Sequence, residues 1–496
     1  MRLVYFDIDT LRADHLGCYG YHRATSPNID ALAAEGVRFE RLHASDTPCL
    51  PSRTALISGR FGIRTGAVGH GGTAADPFPE GPARGFQSSF ARTTWPMAMR
   101  RAGMHTASIS TFAERHSAYH FTAGFNEVVN LGTAGMETAD QVAAAAGDWL
   151  GRHGSADDWF LHVHLWDPHT PYRTPADFGD PFDGVAPPAW LDESVRAGHW
   201  TLPGPHSAQE IAGFGPRSVW DRFPRQPQQA PDMDHVRRIF DGYDTGVRYA
   251  DHHVGRLVNR LADLGVLDDT AVLVSSDHGE TLGELGIYCD HQTADQHVTR
   301  LPAVLRWPGG AGPGRSDDGF HYQVDLAATV LELLGAEVPG NWDGVSFARA
   351  FERGESSGRP HLVLSHGAWT AQRAVRLDDW ICIRTYHDGY HWFPDVMLFD
   401  LAADPHEQHD RAVDRPDVVA RALGILEDWQ RDALGRSEEA VDPLWTVVGE
   451  GGPWHVRGHL DAYLDVLRTT GRAPWADHLM ARHRPDPPAA PAEAPV

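Results

Sequence analysis

The chain has 496 residues, of which 42% are hydrophobic and 22% charged, and this balance predicts one large or two smaller globular domains with a packed core. The formal net charge of −24 argues against general nucleic-acid binding, which needs a basic face. All 43 basic residues are arginine, so no lysine side chain is available to hold an anionic ligand.

The cysteines are widely spaced and form no C-x-x-C pair: Cys18, Cys49, Cys289 and Cys382. This spacing excludes a disulfide framework and a thiolate zinc ribbon, and it is typical of a reducing compartment. Residues 1–9 place acids within an apolar stretch, which favours a strand over a signal peptide, and no apolar run long enough to span a membrane follows. We therefore expect a cytoplasmic protein with no membrane partner, although a mature form without its leader would have the same features.

Strand and helix signals alternate through residues 1–354 and predict an α/β domain whose large mixed, mostly parallel sheet is sandwiched by helices. Strands are expected at 3–8, 37–39, 106–110, 159–166, 271–275 and 303–307, and helices at 26–36, 54–57, 95–102, 138–150, 233–264 and 323–334. Residues 177–232 lose this pattern, and a long insertion without regular structure is typical of a functional loop.

The pattern changes after residue 354. Short strands at 361–364, 374–377, 380–384 and 397–400, followed by a helix at 416–433, predict a small C-terminal subdomain with an antiparallel sheet over residues 355–435. Residues 436–496 are an extension with one amphipathic helix near 460–467 and a Pro/Ala-rich tail that we expect to be disordered.

Cys49 lies between Pro48 and Pro51. Because proline disfavours helix in the residue before it, Cys49 is expected to be extended and presented, with Ser52 as the N-cap of a helix behind it. A helix N-terminus favours a nearby anion, so the segment indicates a nucleophile aimed at an anion with Arg53 alongside. The alternative is a buried structural thiol in a turn.

Asp9 ends the first predicted strand, which is where open α/β sheets bind their ligands. Asp7 and Asp9 share a face of that strand because its side chains alternate. One of them is a candidate metal ligand. The alternative for a strand-end aspartate is a helix cap or a turn acceptor.

Five motifs follow one another between residues 3 and 430: DTLRADHLGCYG at 9–20, CLPSR at 49–53, DPHTPY at 167–172, YADHHVG at 249–255 leading into SDHGE at 276–280, and LFDLAADPHE at 398–407. The second matches the C-x-P-S-R signature of the sulfatases. A single C-x-P-S-R arises by chance, but five motifs in order do not. The chain therefore resembles the sulfatase family of the alkaline phosphatase superfamily.

The resemblance implies a sulfuric ester hydrolase that acts on a small-molecule or saccharide sulfate ester. Cys49 would be oxidised to formylglycine by a formylglycine-generating enzyme, and the aldehyde hydrate would supply the nucleophile. Asp9, Asp277 and His278, together with the modified Cys49, would hold one divalent ion. Oxygen-rich ligands favour Ca²⁺, with Mg²⁺ or Mn²⁺ as alternatives.

The resemblance also implies roles for residues that are not metal ligands. Arg53 would stabilise the deprotonated diol, and His169 would contact sulfate or protonate the leaving oxygen. The other histidines are expected to be packing or surface residues: His162, His164, His252, His253 and His297.

Three positions depart from the family pattern. Thr10 stands where many relatives carry a second acid, and Asp7 is a candidate replacement. Residues 110–113 stand where relatives have a sulfate-holding lysine and histidine, so that Arg115 or His116 becomes a candidate substitute. A later family lysine falls at Asp290 or His291, and His291 is favoured as a catalytic residue because a further acid would repel sulfate.

Two other functions remain open from the sequence. A phosphonate monoester or phosphodiester hydrolase would use the same kind of site, and comparing turnover of the three ester types discriminates it. A catalytically silent sulfatase-like binding protein would retain an unmodified thiol at Cys49. The released alcohol or sugar and the oligomeric state are not predicted.

Overall fold

The computed structural model describes residues 1–81, 88–215, 217–310 and 312–484. Its strands are β1 (Arg2–Ile8), β2 (Val37–His43), β3 (Asp46–Thr47), β4 (His105–Ile109), β5 (Glu127–Val129), β6 (Trp159–Leu165), β7 (Thr270–Ser275), β8 (Thr281–Leu282), β9 (Tyr288–Asp290), β10 (Arg300–Leu301), β11 (Ala303–Arg306), β12 (Arg315–Tyr322), β13 (Leu362–His366), β14 (Ala371–Leu377), β15 (Trp380–His387) and β16 (Val396–Asp400). Its helices are α1 (Pro27–Glu35), α2 (Cys49–Ser58), α3 (Gly62–Thr65), α4 (Trp95–Arg101), α5 (Phe112–Arg115), α6 (Ala139–His153), α7 (Glu193–His199), α8 (Arg217–Trp220), α9 (Met233–Asp263), α10 (Gln296–Thr299), α11 (Gln323–Leu333), α12 (Ala348–Arg353), α13 (Pro416–Gly435), α14 (Pro443–Gly449), α15 (Leu460–Thr469) and α16 (Ala473–His483).

The large sheet has the order β5-β4-β6-β1-β7-β11-β2-β10, and β12 also pairs with β2. Its pairs from β5 to β7 are parallel, whereas β11 is antiparallel to both of its neighbours. Side chains of β1 alternate between two cores: Val4 and Phe6 pack on one face and Leu3 and Tyr5 on the other. Helices cover both faces, which confirms the predicted α/β class.

The second sheet has the order β16-β15-β14-β13-β3. Its four C-terminal strands are antiparallel, as predicted, and α13 packs on them through Val418 and Leu426. The short strand β3 adds in parallel to β13 and lies just before Cys49 in the chain. The C-terminal sheet is therefore joined directly to the Cys49 segment.

The prediction that Cys49 is extended and presented is wrong. Helix α2 begins at Cys49 itself, after Pro48 as its N-cap, and the Cys49 side chain is buried. Ser52 is not an N-cap, because it lies inside the helix and its Oγ donates to the carbonyl oxygen of Asp277 at 2.6 Å. Pro51 falls in the first turn, where a backbone N–H has no partner within the helix, so proline does not prevent an earlier start.

The extension folds more fully than the sequence predicted. It forms α14, α15 and α16 rather than a single helix, and the predicted disordered tail lies in residues 485–496, outside the described part of the chain. The insertion 177–232 contains α7 and α8. Among the described helices, none combines the length and the apolar character needed to cross a membrane.

Candidate active site

The candidate catalytic residues meet where parallel strands of the large sheet end. Asp9 follows β1, His169 follows β6, and Asp277 and His278 follow β7. The N-terminus of α2 brings Cys49 to the same place. The carboxyl edge of an open α/β sheet is the usual ligand site of this architecture, and strand order alone brings these distant segments together.

Four predicted ligands form one buried group. One ligand atom from each of Asp9, Cys49, Asp277 and His278 lies within 4.8 Å of the other three. The Nδ1–H of His278 donates to the carbonyl oxygen of Gly279 at 2.8 Å, which leaves Nε2 unprotonated and 3.0 Å from Cys49 Sγ. A backbone carbonyl that fixes the tautomer in this way is typical of a metal-ligating histidine.

The group also has the unsatisfied polar atom that an ion would need. Asp9 Oδ1 is buried and has no hydrogen-bonding partner among the described residues. Burial lowers the pKa of His278 to about 4, so its imidazole is neutral and able to ligate. The donor set of carboxylates, imidazole and an oxidisable cysteine therefore fits a divalent cation.

Arg53 binds three carboxylates. Its Nε lies 3.0 Å from Asp7 Oδ2, its Nη1 lies 3.0 Å from Asp9 Oδ2, and Nη1 also pairs with Asp277. Three acids around one guanidinium leave excess negative charge in a buried site, and repulsion follows. Burial raises the pKa of Asp277 well above its usual range, and Asp9 and Asp7 raise it further against the pull of Arg53. A divalent ion would remove this imbalance.

His164 is a site residue that the sequence analysis assigned to packing. Its Nε2 lies 3.2 Å from Asp9 Oδ2 and 2.8 Å from Arg53 Nη2, and its Nδ1 lies 3.0 Å from Ser110 Oγ. His162 on the same strand contacts Asp7 at 3.2 Å. The available signal was the alternation of histidines on β6 beside the alternating aspartates of β1.

His169 and His291 lie beside the four ligands, as predicted, and face each other with ring centroids 5.2 Å apart. His169 Nε2 is 4.0 Å from Asp9 Oδ1, and the ring of His291 lies 4.2 Å from that of His278. Burial lowers the pKa of both imidazoles well below the usual range. Both are placed to exchange a proton with a ligand bound at Cys49, and their catalytic roles stay predictions.

The Cys49 thiol itself is poorly suited to act as a thiolate. Burial raises its pKa well above the usual range, and the charges of Asp9 and Asp277 raise it further. A reactive cysteine normally lies in positive surroundings. The acidic surroundings of Cys49 therefore favour the protonated thiol over the thiolate.

Comparison with known proteins decides the family. The family model described as Sulfatase matches residues 2–336, and the model described as N-sulphoglucosamine sulphohydrolase, C-terminal, matches residues 283–421. The chain belongs to the sulfatase family. It is accordingly a hydrolase that acts on sulfate esters.

Relatives of this sulfatase match over most of their length. The N-acetylglucosamine-6-O-sulfatase of Bacteroides thetaiotaomicron is 23% identical over 463 residues, which cover 82% of each chain. The structure of BT4656 in complex with its substrate D-glucosamine-2-N,6-O-disulfate has a TM-score of 0.69 at 19% identity, covering 88% of this chain and 99% of that one. The phosphonate monoester hydrolase of Agrobacterium radiobacter has a TM-score of 0.65 at 18% identity, covering 88% and 96%.

One wall of the sulfatase site is formed by the insertion and the extension. His455 of the extension places its Nε2 3.0 Å from Nδ1 of His70, and His70 accepts a hydrogen bond from the backbone N–H of Leu50. The ring of Trp369 stacks on His455 at 4.5 Å and contacts His206 of the insertion at 5.0 Å. A continuous series of ring contacts therefore connects the insertion and the extension to Leu50, the residue after Cys49.

Proposed function

We propose that this sulfatase hydrolyses a sulfate ester of a saccharide with a formylglycine formed from Cys49 and one divalent ion. The observation that carries the proposal is the buried group of Asp9, Cys49, Asp277 and His278, whose ligand atoms lie within 4.8 Å of one another. Bound there, the ion would screen the sulfate charge and acidify a hydroxyl group. A formylglycine hydrate would supply that hydroxyl as the nucleophile.

The chain's own residues orient this chemistry. Arg53 is fixed by ion pairs with Asp7 and Asp9. Its guanidinium is therefore already oriented in the site before a substrate binds. His169 and His291 lie beside Asp9 and His278, and they are the candidates for donating a proton to the leaving oxygen. The buried position of all these groups excludes bulk water, which strengthens their charges.

The modification of Cys49 is tested by mass spectrometry. We expect the peptide containing Cys49, from a host that has the formylglycine-generating enzyme, to carry an aldehyde. The raised pKa of the thiol supports this expectation because a neutral thiol is a weak nucleophile. An unmodified thiol in an inactive protein would instead support the silent sulfatase-like binding protein.

The ester class is tested with a substrate panel. Aryl sulfate, sulfated monosaccharides, an aryl phosphodiester and a phosphonate monoester are compared by kcat/KM, with Cys49→Ala as the inactive control. The names of the relatives support a saccharide sulfate. Dominant phosphonate turnover would replace the proposal with a phosphonate monoester or phosphodiester hydrolase, an alternative that fits Thr10 beside Asp9.

Calcium is the proposed ion because carboxylate ligands suit a hard cation, with Mg²⁺ and Mn²⁺ as alternatives. Chelation should abolish turnover, and separate addition of the three ions should identify the one that restores it at the lowest concentration. Elemental analysis of the chelated sample shows whether all metal has been removed. Turnover by a sample that contains no divalent ion would contradict the proposal that the ion is essential.

A cytoplasmic location is part of the proposal. All four cysteines are free and three are buried, which suits a reducing compartment. Fractionation of the native cell with antibody detection tests it, and recovery of the protein outside the cytoplasm would contradict it.

A further inference from the structure

Arg115 carries a guanidinium that is held in place but has no polar partner. The side chain is half-buried, and its Cζ lies 5.0 Å from the centroid of the Trp166 ring. Within residues 1–81, 88–215, 217–310 and 312–484, no carboxylate pairs with this guanidinium and no oxygen accepts a hydrogen bond from it. A positioned cation without a partner is a candidate anion ligand.

The stem of Arg115 is fixed by its neighbours rather than by charge. A Cβ atom at Gly135 would lie 2.6 Å from Arg115 Cδ and 3.0 Å from Trp166 Cζ2, so the absence of a side chain at 135 makes room for the stem. Gly135 has φ of +81°, a conformation that favours glycine. The guanidinium is thus held against the Trp166 face before any ligand binds.

The same region borders Cys49. Cys49 and Trp166 belong to one buried cluster, and the Trp166 ring lies 5.7 Å from that of His169. The Trp166 ring therefore links the Arg115 guanidinium to the residues that surround Cys49.

His116 adds a second unsatisfied group at the same point. Its Nε2 is buried without a hydrogen-bonding partner among the described residues, and its ring lies 4.9 Å from that of His70. His70 in turn accepts from the backbone N–H of Leu50 at 3.4 Å. The C-terminal end of α5 and the start of α2 therefore both border His70.

The other guanidinium groups near Cys49 have acceptors, except at Nε of Arg173, which has none among the described residues. Arg53 is bound by three carboxylates, and Arg173 donates to the carbonyl oxygens of Gly135, His169 and Thr170. Burial lowers the pKa of His70 and His116 well below the usual range, so these imidazoles are neutral. A charge-bearing ligand for an anion must come from elsewhere, since the chain has no lysine.

We propose that Arg115, with His116 as a neutral donor, binds the oxygen atoms of the tetrahedral anion that is attacked at Cys49. This inference rests on the proposed function and names the residues that replace the lysines missing from this chain. Guanidinium groups bind the oxygens of such anions with two parallel N–H donors, which also orients the anion.

The test compares Arg115→Gln and Arg115→Lys with a matched control. Arg41→Gln removes a half-buried guanidinium that lies 4.3 Å from the Phe320 ring, donates to the carbonyl oxygen of Asp318 and lacks a carboxylate partner among the described residues. Binding of inorganic sulfate and of inorganic phosphate to the mature, ion-loaded enzyme is measured by calorimetry. The kcat and KM for an aryl sulfate, the affinity for the divalent ion and Tm are measured in parallel.

We expect Arg115→Gln to weaken sulfate binding and raise KM about 10- to 100-fold, as loss of a charge-assisted contact does, with unchanged ion affinity and Tm. Arg115→Lys should recover part of the loss, and Arg41→Gln should match the unaltered enzyme.

Unchanged sulfate binding in Arg115→Gln, in an enzyme that turns over aryl sulfate, would overturn the Arg115 assignment alone. Absence of turnover and of anion binding in the unaltered enzyme would overturn the proposed function together with this inference. A preference for phosphate that depends on Arg115 would uphold the anion contact and overturn the sulfate assignment.

Discussion

Asp7 and Asp9 stand two positions apart on one strand face but have different partners. Asp7 binds Arg53 through both carboxylate oxygens and also contacts His162. Asp9 shares Arg53 but keeps one oxygen free toward Cys49 and His278. We therefore favour Asp9 as the ligand of the proposed divalent ion, whereas Asp7 holds Arg53 in place.

This difference predicts losses of ion affinity of unequal size for two isosteric changes. Asp9→Asn should weaken Ca²⁺ binding by about 100-fold or more, because it removes a charged ligand. Asp7→Asn should weaken it by less than about 10-fold, since only the support of Arg53 changes. Calorimetric titration of both variants checks this, and an equal loss would show that Asp7 ligates the ion.

At the scale of elements, α9 carries one of the five family motifs, YADHHVG at 249–255. Asp251 accepts hydrogen bonds from the backbone N–H groups of Asn28 and Ile29 at the start of α1. A Cβ at Gly255 would lie 2.3 Å from Asn28 Oδ1, so glycine allows α1 to approach. The residues 249–255 therefore fasten α1 to α9, and Asp251 is a helix cap rather than one of the four grouped ligands.

Asp251 also predicts a pH dependence of stability. Burial raises its pKa to about 6, whereas an aspartate in an unfolded chain has a pKa of about 4. The folded state binds this proton more tightly, so the stability that the group contributes is complete below about pH 4 and is lost as the pH rises through 6. The loss amounts to at most roughly 3 kcal/mol.

Asp251→Asn removes this titration and keeps an oxygen that can accept. The free energy of unfolding in urea, measured at acidic and at neutral pH, should fall with rising pH by less in Asp251→Asn than in the unaltered protein. Asp268→Asn, which changes a fully exposed side chain, is the control and should leave the pH dependence as it is. Identical pH dependence in all three proteins would contradict the buried titration.

At the scale of the whole molecule, the insertion and the extension form one assembly beside the site. Arg472 pairs with Glu210 through Nη1 at 2.9 Å, and the ring of Phe214 stacks on His459 at 4.7 Å. These contacts position His455 against His70. Two segments more than two hundred residues apart thus build the wall that faces the start of α2.

This wall predicts a change of substrate selectivity on truncation of His455. His455→Ala should lower kcat/KM about 10-fold for a saccharide sulfate, because it removes a ring that packs against Trp369. An aryl sulfate that does not reach the wall should change by less than about 3-fold. His478→Ala, which changes an exposed ring of the same extension that stacks on Trp392, serves as the control. Equal losses for both substrates would show that His455 supports the site rather than choosing the substrate.

The sequence by itself determined the α/β class and most of the central elements. The expected helix at 233–264 is α9 at Met233–Asp263, and the strand expected at 271–275 is β7 at Thr270–Ser275. In these elements the apolar residues recur at the spacing of a helix or a strand, and that spacing can be read from the sequence without knowledge of the fold. Motif order was also sufficient to bring Asp9, Cys49, Asp277 and His278 into one candidate site.

Tertiary structure decided what the local pattern does not contain. The partners of Arg53 come from β1 and from the loop after β7, and His164 joins them only because β6 lies beside β1. The helices α14 and α16 bury few apolar residues, and they depend on contacts with distant segments such as Val68 and Trp392. The free guanidinium of Arg115 is the clearest case: the sequence shows an arginine, and only the fold shows that it has no partner among the described residues and lies against Trp166, which shares a buried cluster with Cys49. The partners of a side chain depend on hydrogen bonds and packing with residues that are remote in the chain, and residue type alone does not determine them.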